Sequence, residues 1–388
     1  MLNGGNNLWV VMLTKFGGKI FVRTLQLLRK LSISVQSSIH QLNCDNTIMK
    51  LNLIILLKIL ILTLITNTSI ASSLKAGSMT ATDLPPKEAQ VVNIGFFPIS
   101  VHGLDITTNT FYLNSYVWLK WKGDIDPVES MEFISTVDRV NFVKDLLLKE
   151  PSILSDGSKY QIMHIEGHFF QKFILSDFPL DKQKLSILVE DSSHGYQQVS
   201  YVIDQSSSGI GDQLEVPGWE IKNWNAGSLI HDYGTSFGDN GNTNGGASYS
   251  VAFFEININR PSSYFFWKLL LPLLIVVSGA WMSLILDANN TDTRIGMSST
   301  ALLTTVFLQQ GYTVNLPDIG YLVLMDKIYV LAYVLIVISL ARGISSGYFD
   351  INITVPSRIS VVKKQDQLIL VCQIATFLGF IIWSVSNI

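Results

Sequence analysis

The segment from Arg294 to Pro317, RIGMSSTALLTTVFLQQGYTVNLP, constrains the fold of this chain more than any other. Roughly 20 residues rising 1.5 Å each cross the ~30 Å hydrocarbon core of a bilayer, so the segment is long enough to span one as a helix. It nevertheless carries Thr300, Thr304, Gln309 and Gln310, for which a helix facing only lipid has no use. Steps of four and three from Gly296 put Thr300, Leu303, Phe307, Gln310 and Val314 on one face. That face is polar, then apolar, then polar again. Such a helix either lines water or is joined to other helices by its polar side chains.

Composition agrees with a membrane setting. Only 15% of the 388 residues are charged and 48% are hydrophobic, against ~25% charged in soluble domains. A net charge of −3 argues against nucleic acid as a partner. Cys44 and Cys372 both lie outside the soluble-looking middle, which must fold without a disulfide. His164 and His168 sit four apart in a run that alternates like a strand, with no further ligand nearby. They read as surface histidines rather than a metal site. No nucleophile–base arrangement, metal set or phosphate loop is visible, so neither an enzyme nor a cofactor is expected.

Four regions follow along the chain. Residues 1–48 form a basic, weakly amphipathic extension whose translation is itself in question. Met49-Lys50, the apolar run LNLIILLKILILTLIT and the small-residue exit Ser69-Ile70-Ala71 predict a signal peptide over 49–71. Its rival, a short membrane anchor, is weakened by Lys58. Residues 83–260 read as β: seven short alternating runs, from VVNIGFFPISVHG to YSVAFFEININR, are separated by Gly, Asn, Asp, Ser and Pro, which suits a β-sandwich. The stretch 233–248 is expected to be a hairpin tip. Residues 261–388 hold apolar spans at 263–286, 295–316, 320–343 and 366–386. Arg342, Arg358, Lys363 and Lys364 are assigned to the loop between the last two, which places that loop on the cytoplasmic side. The β region and the C-terminus then lie outside.

These residues resemble the pentameric ligand-gated ion channels, specifically their prokaryotic members. Arg260-Pro-Ser-Ser-Tyr264-Phe265 with Pro272 is similar to the entry into the family's first span. Phe178-Pro179-Leu180-Asp181-Lys182-Gln183 resembles its Phe-Pro-Phe-Asp-x-Gln turn, with Phe170 and Lys184 where eukaryotic relatives carry the paired cysteines. The segment from Arg294 to Leu316-Pro317, with Tyr321 beyond, looks like the family's pore helix. Trp121 closes a strand in which Tyr116 matches a ligand-facing aromatic. The resemblance runs from about Val91 to the C-terminus.

The resemblance implies an all-β extracellular immunoglobulin-like sandwich followed by an all-α four-helix transmembrane domain. It implies a homopentamer, in which each chain assembles with four identical subunits, in the bacterial inner membrane. Gly296, Thr300, Leu303, Phe307, Gln310 and Val314 would line the pore, with Leu303 and Phe307 as an apolar constriction that blocks ions by dewetting. Charge selectivity would fall to Asp292 and Thr293. Thr293 stands where cation-selective relatives usually have glutamate, the Pro-Ala insertion of anion-selective ones is absent, and the balance leans to cations. Coupling is assigned to Asp105, Phe178, Pro179, Asp181, Arg260, Pro317 and Tyr321. A small agonist, with primary amines the first guess, would meet Tyr116, Glu190, Asp191, His194, Tyr196, Tyr233, Phe237 and Tyr249 between subunits. Protons acting on His102, His164, His168, His194 and His231 are an alternative trigger. A non-conducting receptor for a periplasmic solute is the alternative class.

Overall fold

The computed structural model describes residues 78–81, 85–238, 247–314, 316–350 and 356–388. The expected extension, signal peptide and Cys44 lie outside them. The N-terminal part is two packed sheets. One holds five strands in the order β1 (Ser78–Ala81), β10 (Glu220–Asp232), β11 (Ser248–Asn259), β8 (Lys182–Asp191) and β4 (Met131–Phe133). The other runs β5 (Val143–Leu146), β7 (Lys159–Phe170), β3 (Thr110–Trp121), β2 (Gln90–Asp105) and β9 (Val199–Ile203), with β6 (Ser152–Ile153) pairing β7. All pairings are antiparallel except β2 with β9. A single helical turn, α1 (Pro127–Ser130), is capped by the Asp126 carboxylate.

The alternation seen in the sequence is the packing. Along β3, Phe111, Leu113, Val117, Leu119 and Trp121 point inward and are essentially fully buried. Met163, Ile165 and Phe169 of β7 answer them, as do Leu185, Ile187 and Val189 of β8 and Phe254, Ile256 and Ile258 of β11. Period-two patterning thus sends one face of each sheet into a shared core. All seven sequence-read runs are strands. The strands missed, β1, β4, β5 and β6, are four residues or fewer, too short for periodicity to register. β10 and β11 are antiparallel neighbours whose register pairs Asp232 with Ser248; residues 239–246 of the expected hairpin tip lie outside the described residues.

Helices make up the rest: α2 (Tyr264–Met282, wound as a π-helix over Tyr264–Leu270), α3 (Thr291–Thr313), α4 (Leu324–Asp350) and α5 (Pro356–Ser386). Three of them, α2, α4 and α5, contain stretches long and apolar enough to cross a membrane. The span boundaries need correction. The third helix begins at Leu324 rather than 320, and the helices take up most of the expected loop, α4 reaching Asp350 and α5 starting at Pro356. Hydropathy marks where a helix is apolar, not where its backbone hydrogen bonding ends. Arg342, Lys363 and Lys364 are therefore helical residues, and Arg342 is buried and paired with Asp366.

Candidate functional site

Three places collect the residues singled out from the sequence. The first lies at the end of the β10–β11 hairpin. Tyr233, just past β10, packs against His231 (ring centroids 3.9 Å), Phe237 (5.0 Å) and Tyr249 (5.9 Å). The side chains of His231 and Tyr249 are neighbours because the strand register pairs them. Phe237 takes a left-handed backbone, φ 53°, which few non-glycine residues adopt. Glu190, at the end of β8, is buried beneath these rings. Its two oxygens accept from Tyr233 Oη (2.9 Å) and His231 Nδ1 (3.0 Å). Burial pushes its carboxyl above the usual glutamate range, and those two hydrogen bonds offset the rise only in part. The Tyr233 hydroxyl is raised by its own burial and by donating to Glu190.

The other expected ligand residues divide. Tyr196 is held beside the hairpin, its backbone N–H donating to Ser248 O (2.8 Å). Asp191 is turned onto its own loop, accepting from Ser130 Oγ and from Ser193 N, His194 N and His194 Nδ1. It organises the loop that carries His194 and has no oxygen left over. Tyr116 belongs to the other sheet. It sits half-exposed against His164 (5.5 Å), which is bonded to Asn114 Oδ1. On the same sheet face Tyr112 lies between His102 (4.6 Å) and His168 (4.9 Å) and donates to Glu166, a bond that pushes its hydroxyl up to about 12. His231 was counted only among the proton candidates; its partnership with Glu190 depends on the β10–β8 juxtaposition through β11, which no local pattern reveals.

The second place is the junction between sheets and helices. Asp181, almost fully buried, accepts from Arg260 Nε (2.8 Å) and Nη2 (3.4 Å). The guanidinium lies over Trp219 (4.2 Å) and Phe178 (5.0 Å). The 175–181 turn also holds the segment after α3. Leu175 N donates to Tyr321 Oη (3.2 Å), Leu324 N to Ser176 O (2.9 Å) and Met325 N to Phe178 O (3.2 Å). Phe178 stacks on Tyr312 of α3 (6.3 Å), a contact with no sequence signal. Pro317 stands in the α3–α4 connection beside Tyr321. Asp105 accepts from Thr107 N and Thr108 N, and the Thr107 bond lowers its carboxyl; its hydrogen bonds close its own turn and do not run to 318–321.

The third place is α3. One side, Arg294, Ser298, Ala301, Thr305 and Tyr312, is buried against neighbouring helices. Gly296, Thr300, Leu303 (57% exposed), Phe307 (62%), Gln310 and Val314 (82%) occupy the uncovered side, with Asp292 and Thr293 exposed at its start. Gln309 belongs to the packed side, accepting from Tyr333 Oη of α4 (2.6 Å). An open groove of about 510 Å³ between α2 and α3 is lined by Ile275, Gly279, Gly296 and Thr300 among others.

In this arrangement a β-sandwich is set through a Phe-Pro turn onto a group of helices, three of them long and apolar enough to cross a membrane. No family model matches the chain. It is 23% identical over 281 residues to a gamma-aminobutyric acid receptor subunit beta of Caenorhabditis elegans, covering 66% of this chain and 48% of that protein. It is 19% identical over 296 residues to a proton-gated ion channel of Gloeobacter violaceus, covering 72% and 79%. It is 27% identical over 154 residues to a glutamate-gated chloride channel subunit beta of Haemonchus contortus, covering 38% and 33%. Its homologues are pentameric ligand-gated channels of the Cys-loop receptor superfamily, and it is a membrane protein. It spans about half the length of the first of these relatives. These relatives are receptors and channels; none is an enzyme.

Proposed function

We propose that the chain is the subunit of a homopentameric ligand-gated channel of prokaryotic type that passes cations. Its four helices would span a bacterial inner membrane, with the β region, residues 83–260, and the C-terminus outside and the signal peptide 49–71 removed. The observation that carries this is the uncovered side of α3. A helix with Thr300 and Gln310 left bare beside Leu303 and Phe307 suits neither lipid nor a closed single-chain bundle. Five copies around an axis would give those side chains water, with the Leu303 and Phe307 rings as the constriction. The exposed Asp292 carboxylates at one mouth favour cations, although some relatives are chloride channels.

For the ligand, a carboxylate beneath three aromatic rings suits a small cationic amine. Moving a gate from 1:99 to 99:1 takes about 5.5 kcal/mol of differential binding. Over five sites that is ~1 kcal/mol each, within reach of one cation–π contact. Tyr116 would approach the amine from the adjacent subunit's other sheet. A second trigger, protons, is favoured by the two histidines flanking Tyr112 and by the proton-gated relative. Whole-cell current from the Met49 form in oocytes separates the two, using a panel of primary amines and a step from about pH 8 to about pH 4, across the histidine range. Amine-evoked current abolished by Tyr233→Ala supports the aromatic site. Current evoked by acid alone moves the trigger to the histidines, and silence with protein at the surface brings the non-conducting receptor forward.

A further inference from the structure

The one basic residue of α3 faces away from the uncovered side. Arg294 has no exposed surface. Its Nε donates to Ser283 O at the end of α2 (2.8 Å), Nη1 to Ser346 Oγ of α4 (3.1 Å) and Nη2 to Asp366 Oδ2 of α5 (2.8 Å). The other oxygen of Asp366 accepts from Arg342 Nε of α4 (2.5 Å), and Arg342 Nη2 donates to Gln365 Oε1 (3.1 Å). One carboxylate on the last helix thus holds two guanidiniums, all three side chains being at most 8% exposed.

Arginine cannot shed its proton, so a buried guanidinium keeps its charge and depends on its anion. The buried cluster is already one positive charge in excess. Without Asp366, Arg294 would be left with only neutral acceptors, and the closest solvated surface along its own helix is the uncovered side that starts at Asp292 and Thr293. We propose that Asp366 is a positioning residue for ion selectivity. Although on a helix that contributes nothing to the uncovered side of α3, it neutralises Arg294 and holds it within the bundle, leaving Asp292 as the charge at the mouth. This rests on the cation-channel function proposed above.

The magnitude is sizeable. A unit charge one helix diameter (~10 Å) from an ion path, at an effective dielectric constant of ~20, changes relative ion occupancy on the order of tenfold. The test is the reversal potential of the full chain in oocytes under a sodium chloride gradient. Asp366→Asn is expected to lower the sodium-to-chloride permeability ratio about tenfold or more, and adding Arg294→Gln to it is expected to restore the cation preference. Should Asp366→Asn fail to reach the surface, Asp366→Leu with Arg342→Leu replaces the buried pair by apolar contacts, an exchange proteins often tolerate. It also strips Arg294 of its carboxylate, so the same shift and the same rescue are expected. A wild-type ratio in either variant, or a shift that Arg294→Gln leaves in place, overturns the assignment. A wild-type chain that passes no current, or prefers anions, refutes the underlying channel function instead.

Discussion

Asp181 and Arg260 offer the sharpest test of how sheets and helices are joined. Their side chains are 1% and 15% exposed, and two hydrogen bonds connect them. Removing one partner of a buried pair strands the other and typically costs 3–5 kcal/mol, against 0–1 for a solvated pair. Asp181→Ala is therefore expected to cost about 3–5 kcal/mol, or ~6–20 °C in Tm at 2–4 °C per kcal/mol for a domain of this size. Arg260→Ala should cost at least as much, because it also removes the guanidinium from the faces of Trp219 and Phe178. Since both substitutions delete one shared interaction, the double variant should fall short of their sum by about 2–3 kcal/mol. Thermal unfolding of the detergent-solubilised chain followed by tryptophan fluorescence reads this directly, with Trp219 lying against Arg260. A loss under ~3 °C for Asp181→Ala, or full additivity in the double variant, would refute a buried, energetically linked pair.

Other consequences can be checked separately. Replacing Leu303 or Phe307 by Ser should wet an apolar constriction, giving agonist-free leak current in oocytes; unchanged closed-state conductance counts against their facing the pore. Burial raises the Glu190 carboxyl above its ordinary 4.5, so its charge is present above the raised value and lost as pH falls through it. Amine EC50 should therefore climb in acid at a higher pH than an ordinary glutamate allows, and Glu190→Gln should flatten that dependence; a flat wild-type profile removes Glu190 from the site. For folding the sign is reversed: the buried carboxylate disfavours the native state above the raised value and has no such effect below about 4.5. A Cβ on Gly95 would lie 2.2 Å from the Trp118 ring. Gly95→Ala should thus displace the indole from Asp204, to which it donates (3.1 Å), and destabilise by about 1–3 kcal/mol in thermal unfolding; a neutral result would mean the ring relocates freely.

Much of the fold could be read from the sequence because burial in a sandwich has period two. Phe111, Leu113, Val117 and Leu119 announce an inward face by spacing alone. Asp181 and Arg260 are each marked for coupling by a motif of recognisable order, and the structure pairs them. What stayed hidden depends on pairs of strands or helices that no local pattern connects. His231 reaches Glu190 only because β11 lies between β10 and β8. Phe178 reaches Tyr312 only because the turn and the end of α3 meet. Asp191 looks like a ligand residue beside Glu190, yet its carboxylate accepts from Ser130 at the α1 end and from its own loop. Adjacent strand residues face opposite ways, so two neighbouring carboxylates seldom serve one site.

Length and apolarity mark α2, α4 and α5 as candidate membrane spans but not α3, the helix with the mixed polar and apolar face. The reason is compositional. Its packed side already carries Ser298, Thr305, Gln309 and a buried arginine, and its bare side adds Thr300 and Gln310. A helix alone in lipid could not leave those groups unsatisfied. The packed side solves its half within one chain, through Ser283, Tyr333, Ser346 and Asp366. Among the described residues the bare side has no such partners, which is why water and further copies of the chain are proposed to meet it. Low apolarity in α3 is therefore not a weakness of the membrane assignment. It is the feature on which the proposed assembly of several chains rests.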